Sequence, residues 1–245
     1  MDILVKKAGV KMDAGKQDEA LALFEQALVL EPESTDAMLH RANLYMLQQN
    51  VPKAKADLDR CLELRPDHTL ARLRLATIFM ATNDMDGAKA ALAEAEKYAP
   101  DSADVHSYKG EMYFAQGKVE EATEEFAIAM KNERGNPTPY VNTALAVMNT
   151  PTATGLPDAK KAIELLEKAI AIDPQFHAAY VHLGQLKLSL ASNLSSARDV
   201  ITLYDKGLSY CRTPEEIKDL AGMRILTVAQ VEAATHLKME TFNLQ

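Results

Sequence analysis

The 245-residue chain has only ten glycines and ten prolines, too few for a linker-rich or disordered protein. Its two cysteines, Cys61 and Cys211, lie far apart and form no CxxC pair. Neither a disulfide framework nor a zinc site is indicated, and a reducing compartment is the default. No apolar run approaches the roughly 18 to 20 residues that cross a bilayer, and the opening MDILVKKAG lacks the apolar stretch of a signal peptide. Positive charge is also in deficit. A net charge of -8 argues against a nucleic-acid backbone as partner and steers basic partners in.

Chemistry-bearing patterns are missing as well. The six histidines are scattered, and no HExxH is present. His177 and His182 are five apart, which puts them on different faces of a helix. Gly15-Lys16 and Gly117-Lys118 each lack the other glycine of a phosphate-binding loop, and carboxylates fall on solvated helical positions. The reading is therefore a binding protein without catalytic residues, metal ligands or cofactor.

Strand-like alternation is scarce, and apolar residues recur at three- and four-residue spacing almost throughout. A longer period lies over this one. Stepping by 34 residues from DEALALFEQALVLEP (18 to 32) meets PKAKADLDRCLELRP, then DGAKAALAEAEKYAP, then VEEATEEFAIAMKNE, all in register. After a spacer, PDAKKAIELLEKAIAIDP continues the series. One column is small in every copy: Ala20, Ala54, Ala88, Ala122 and Ala162. A second reads Ala27, Cys61, Ala95, Ala129 and Ala169, and a third, on the preceding helix, Ala8, Ala42, Ala76, Gly110, Ala144 and Gly184. Small side chains let two helices approach closely, so these columns mark a seam. Phe24, Leu58, Leu92, Phe126 and Leu166 fill the space between them, and Pro32, Pro66, Pro100 and Pro174 end each second helix.

A 34-residue helix-turn-helix unit with small residues at positions 8, 20 and 27, a bulky one at 24 and proline at 32 resembles the tetratricopeptide repeat, TPR. The resemblance implies an all-α, right-handed superhelical solenoid of antiparallel helix pairs. Six repeats start at residues 1, 35, 69, 103, 137 and 177, with extra residues in the fifth, within NTPTATGLPD, and in the sixth. The sixth places Val200, Tyr204 and Gly207 in the three second-helix columns. Repeats 1 to 4 occupy residues 1–136 and repeats 5 and 6 residues 137–212, in one continuous domain. Residues 213–245 form a C-terminal capping helix and tail. Thr213, Pro214 and Glu216 make a capping box at its start, and its expected role is to cover the open end of the stack.

In this family the first helix of each pair lines a concave surface through positions 2, 5, 6, 9, 12 and 13. The family's clamp for acidic chaperone tails needs lysine, asparagine and arginine there. The first three repeats instead offer Val5, Gly9, His40, Leu70 and Arg74, so a chaperone-tail clamp is rejected. Position 12 reads Met12, Met46, Met80, Phe114, Met148 and Leu188, and position 5 reads Val5, Leu39, Leu73, Ser107, Val141 and Val181. Two apolar stripes are thus expected on the groove, the methionines suiting apolar ligands of varied shape. Packing of the methionines as core filler fits the same pattern. With Thr77, Glu111, Leu145 and Gln185 at position 9 and Tyr108 at position 6, the expected peptide-binding groove comprises Leu39, Met46, Leu73, Thr77, Met80, Tyr108, Glu111, Phe114, Val141, Leu145, Met148, Val181, Gln185 and Leu188.

The C-terminal third is similar to something narrower. PYVNTAL opening the fifth repeat, and RTPEE leading into a long AQVEA helix, resemble the end of the large TPR receptors of the mitochondrial outer-membrane translocase, across roughly residues 136 to 238. That resemblance implies the C-terminal solenoid of such a receptor, on the outer membrane facing the cytosol. Its partners would be mitochondrial precursor proteins with internal apolar signals or amphipathic presequence-like segments. The membrane anchor, and the contacts with chaperones and other translocase subunits, would lie outside this chain. A cytosolic TPR scaffold or co-chaperone holding one fixed partner fits the same residues, as does the regulatory TPR part of a larger enzyme.

Overall fold

The computed structural model describes residues 2–151 and 155–237. Within them lie thirteen α-helices and no strand beyond an isolated bridge between Pro151 and Pro157. They are α1 (Asp2–Asp13), α2 (Gln17–Leu30), α3 (Thr35–Leu47), α4 (Val51–Leu64), α5 (Thr69–Ala81), α6 (Met85–Tyr98), α7 (Ala103–Ala115), α8 (Val119–Asn132), α9 (Thr138–Met148), α10 (Ala159–Ile172), α11 (His177–Ser189), α12 (Leu194–Leu208) and α13 (Pro214–His236). The expected tail beyond α13, and Thr152 in the fifth-repeat spacer, lie outside the described residues. The helices form two compact units that divide between Gln116 and Gly117, inside the fourth repeat.

Each second helix ends two residues before its proline, at Leu30, Leu64, Tyr98 and Ile172. Turns between the paired helices repeat too. Gly15, Gln49, Asn83 and Gly117, all at position 15, adopt positive φ of 59 to 73°. In the first three, the amide of position 15 bonds the position-12 carbonyl and that of position 16 the position-11 carbonyl, as Asn83 to Met80 at 3.1 Å and Asp84 to Phe79 at 2.7 Å. This is the Schellman ending, which satisfies carbonyls the helix leaves open. Gly15-Lys16 is thereby explained as a turn, and Gly117 takes the same left-handed conformation before Lys118.

The small columns do what their size requires. Ala8, Ala42, Ala76 and Ala144 on first helices and Ala20, Ala54, Ala88, Ala122 and Ala162 on second helices have no exposed surface. Phe24, Leu58, Leu92, Phe126 and Leu166 are buried between them. In the last pair the contrast in size is sharper: Tyr204 fills the bulky place opposite Gly184, and Gly207 lies against Tyr180.

Helix α13 packs on α12 and α11 through Leu220, Thr227, Val231 and Ala234, while Ile225 and Leu226 on its other face are exposed. Its capping box is complete. Thr213 Oγ1 accepts from the Glu216 amide at 3.2 Å, and Glu216 Oε2 accepts from the Arg212 and Thr213 amides at 2.7 and 3.3 Å.

Candidate functional site on the first-helix faces

Position 5 behaves differently from the expectation of an exposed stripe. Leu39, Leu73 and Val141 are 5, 1 and 4% exposed. Leu39 packs with Leu58 and Ile78, Leu73 with Leu92 and Val105, and Val141 with Leu166 and Leu183. The cause is helical geometry. Positions 5 and 8 are one turn apart on one face, and position 8 is where the partner helix comes closest, so position 5 is drawn into the same seam. These three residues, expected in the groove, belong to the core. Leu188 at position 12 does too, packing with Tyr180 and Val200, whereas Val181 stays half-buried at the edge of that cluster.

Position 12 lies one turn beyond position 8 and straddles the boundary. Met46, Met80, Phe114 and Met148 are each half-buried. Met46 leans on the Tyr45–Leu58 core, Met80 on the Leu73–Leu92 core and Met148 on the Val141–Leu166 core. Core packing and surface coexist in each methionine.

In the first unit, Thr77, Tyr108 and Glu111 are half-buried on α5 and α7. Arg74 Nη1 donates to the Tyr108 hydroxyl at 2.7 Å, and the Thr77 hydroxyl bonds the Leu73 carbonyl of its own helix at 3.1 Å. Burial raises the Tyr108 phenol above its ordinary value, with the Arg74 charge acting in the opposite direction. Arg74 Nε is buried without a partner, and no carboxylate pairs with Arg74 among the described residues.

In the second unit, Leu145, Met148 and Gln185 converge on one cleft of about 240 Å³ between α9 and α11. Ala144, Leu166, His182, Leu186 and Ser189 complete its lining. Burial lowers the His182 imidazole below its ordinary value, the His177 charge adds to this, and a hydrogen bond with the Gln185 side chain opposes it. His182 is therefore neutral at pH 7, and every lining side chain is uncharged. Ser189 Oγ donates to the Leu186 carbonyl at 2.8 Å, which ties its hydroxyl to the backbone. From α13, Met223 Sδ lies 3.9 Å from Gln185 Nε2.

His182 and Ser189 did not enter the expected set although they occupy positions 6 and 13. Their positions in the repeat were the available signal. Leu186 is a core position that the cleft happens to uncover. No cluster of metal-ligating side chains is found among the described residues.

Residues 4–150 match the model of the tetratricopeptide repeat-like domain. More than half of the chain is covered, and the chain belongs to this family of protein-interaction scaffolds. Solved structures agree in fold. Yeast Tom70 is 24% identical over 90% of this chain and 44% of its own, with a TM-score of 0.69. A tetratricopeptide repeat protein from Parabacteroides merdae is 18% identical over 91% of this chain and 84% of its own, at 0.70. A thermophilic TPR protein of Thermus thermophilus is 19% identical over 76% and 97%, at 0.66. The likeness at these identities is one of fold, and this chain spans less than half of the Tom70 chain. No helix among the described residues is long and apolar enough to cross a membrane.

Proposed function

We propose that this chain is the precursor-binding part of a mitochondrial protein import receptor, held at the outer membrane and facing the cytosol through segments outside this chain. Its clients are precursor proteins with internal apolar signals or amphipathic presequence-like segments, bound on the first-helix faces. The observation that carries the reading is the cleft between α9 and α11, an uncharged, methionine-containing depression in a chain of net charge -8. An apolar segment with basic flanks suits that combination, the apolar residues entering the cleft and the flanks meeting the acidic surface. The motifs of residues 136 to 238 and the likeness to Tom70 support the same assignment. Binding is weak and reversible, because an unfolded client loses conformational freedom when it docks.

The test is a fluorescence-anisotropy titration of labelled carrier-type internal segments, presequence helices and composition-matched scrambled controls. Saturable, weak binding of many apolar segments, with the controls unbound, is expected. Binding of none, or equal binding of scrambled controls, would overturn the assignment.

A further inference from the structure

The faces of successive first helices differ between the two units. On α5 and α7, Arg74 and Tyr108 both hold position 6 of their repeats, and their 2.7 Å bond spans the space between the helices. On α11 the position-6 residue is His182, which lines the cleft together with Gln185 of its own helix, one turn further on. The space facing α9 stays open as the cleft. Its volume of about 240 Å³ falls below the range of pockets that enclose drug-sized molecules, roughly 300–1,000 Å³, and suits one side chain.

Resting on the proposed client-binding role, we infer that this cleft is an anchor site for a single large uncharged side chain of the bound segment, and that His182 and Gln185 select against charge. Leu145, Met148 and Leu186 provide apolar contact, with Met148 half-buried and able to change rotamer to the shape of the guest. A lysine or aspartate entering the cleft leaves water and finds no opposite charge on any lining residue. Leucine or phenylalanine meets no such penalty. Gln185 is exposed at the mouth, and its carboxamide has donor and acceptor capacity for the backbone of an extended client. An amphipathic presequence would thus be read here through its apolar side, its basic side remaining in solvent.

The experiment is a host–guest titration in which one position of a binding internal segment is leucine, phenylalanine, lysine or aspartate, measured against the wild-type chain and Gln185→Glu. Exposure of Gln185 lets the variant fold, and a circular dichroism melt verifies it. The wild type should bind the leucine and phenylalanine peptides at least tenfold more tightly than the lysine and aspartate peptides. Gln185→Glu should narrow the leucine-to-lysine gap several-fold and widen the leucine-to-aspartate gap. Equal affinity for all four guests, or a guest preference untouched by Gln185→Glu, overturns the anchor site and leaves the client-binding role standing. Failure of every peptide to bind overturns both.

Discussion

A β-carbon placed on Gly184 would lie 2.3 Å from the ring of Tyr204. In repeats 1, 2, 3 and 5 the first-helix small column holds alanine opposite phenylalanine or leucine. Here the opposing residue is larger and the small one correspondingly smaller. Gly184→Ala should therefore overpack the α11–α12 seam and cost about 1–3 kcal/mol in urea denaturation. Tyr204→Phe should not relieve it, because the clash is with the ring. In the wild-type background Tyr204→Phe should be neutral or stabilising, since it removes a buried hydroxyl that has no hydrogen-bond partner and whose burial pushes the phenol up to about 12. A strongly destabilised Tyr204→Phe would mean the hydroxyl has a partner.

The positive-φ residue at position 15 gives a second test, with opposite signs in different repeats. Gln49 at φ 59° occupies the place where repeats 1 and 4 have Gly15 and Gly117. Gln49→Gly removes left-handed strain of roughly 1–2 kcal/mol and adds back chain entropy. The net expectation is about 0.5–1 kcal/mol of added stability, read from the urea midpoint, while Gly15→Ala should lower that midpoint. Equal effects of the same sign would contradict the turn assignment.

The capping box couples the start of α13 to pH. Hydrogen bonds from the Arg212 amide first, and then that of Thr213, hold the Glu216 carboxyl below its ordinary value. A carboxylate depressed in the folded state stabilises above its unfolded pKa, and that contribution is lost as pH falls through the folded one. Amide protection of residues 215 to 220 should be steady from pH 7 to 5 and fall below about 4. Thr213→Ala should lose about 1 kcal/mol of protection locally at neutral pH. Protection that is unchanged in the variant would show that the box does not hold the helix end.

Much of this fold is legible in the sequence because helix-pair packing repeats its demands at fixed places. Ala20, Ala54 and Ala88 cannot grow without separating two helices, so the column shows itself without any structure. Position 5 misleads for the opposite reason. Leu39, Leu73 and Val141 are apolar whether they face a groove or a seam, and only the one-turn offset from Ala42, Ala76 and Ala144 distinguishes the two. The cleft is less legible still. It depends on whether a long side chain spans the gap between successive first helices, as Arg74 does in reaching Tyr108, and that choice has no sequence period.

The measurement closest to the central claim is precursor capture by the Met80→Glu, Met148→Glu double variant, beside its thermal melt. Both methionines are half-buried, so each glutamate can keep its carboxylate in water in the free protein but places charge where an apolar client would dock. Desolvating it there costs several kcal/mol. Capture of apolar segments should be abolished, with the helical signal and melting temperature nearly those of the wild type. Undiminished capture by a folded double variant would contradict the assignment of the first-helix faces as the binding surface.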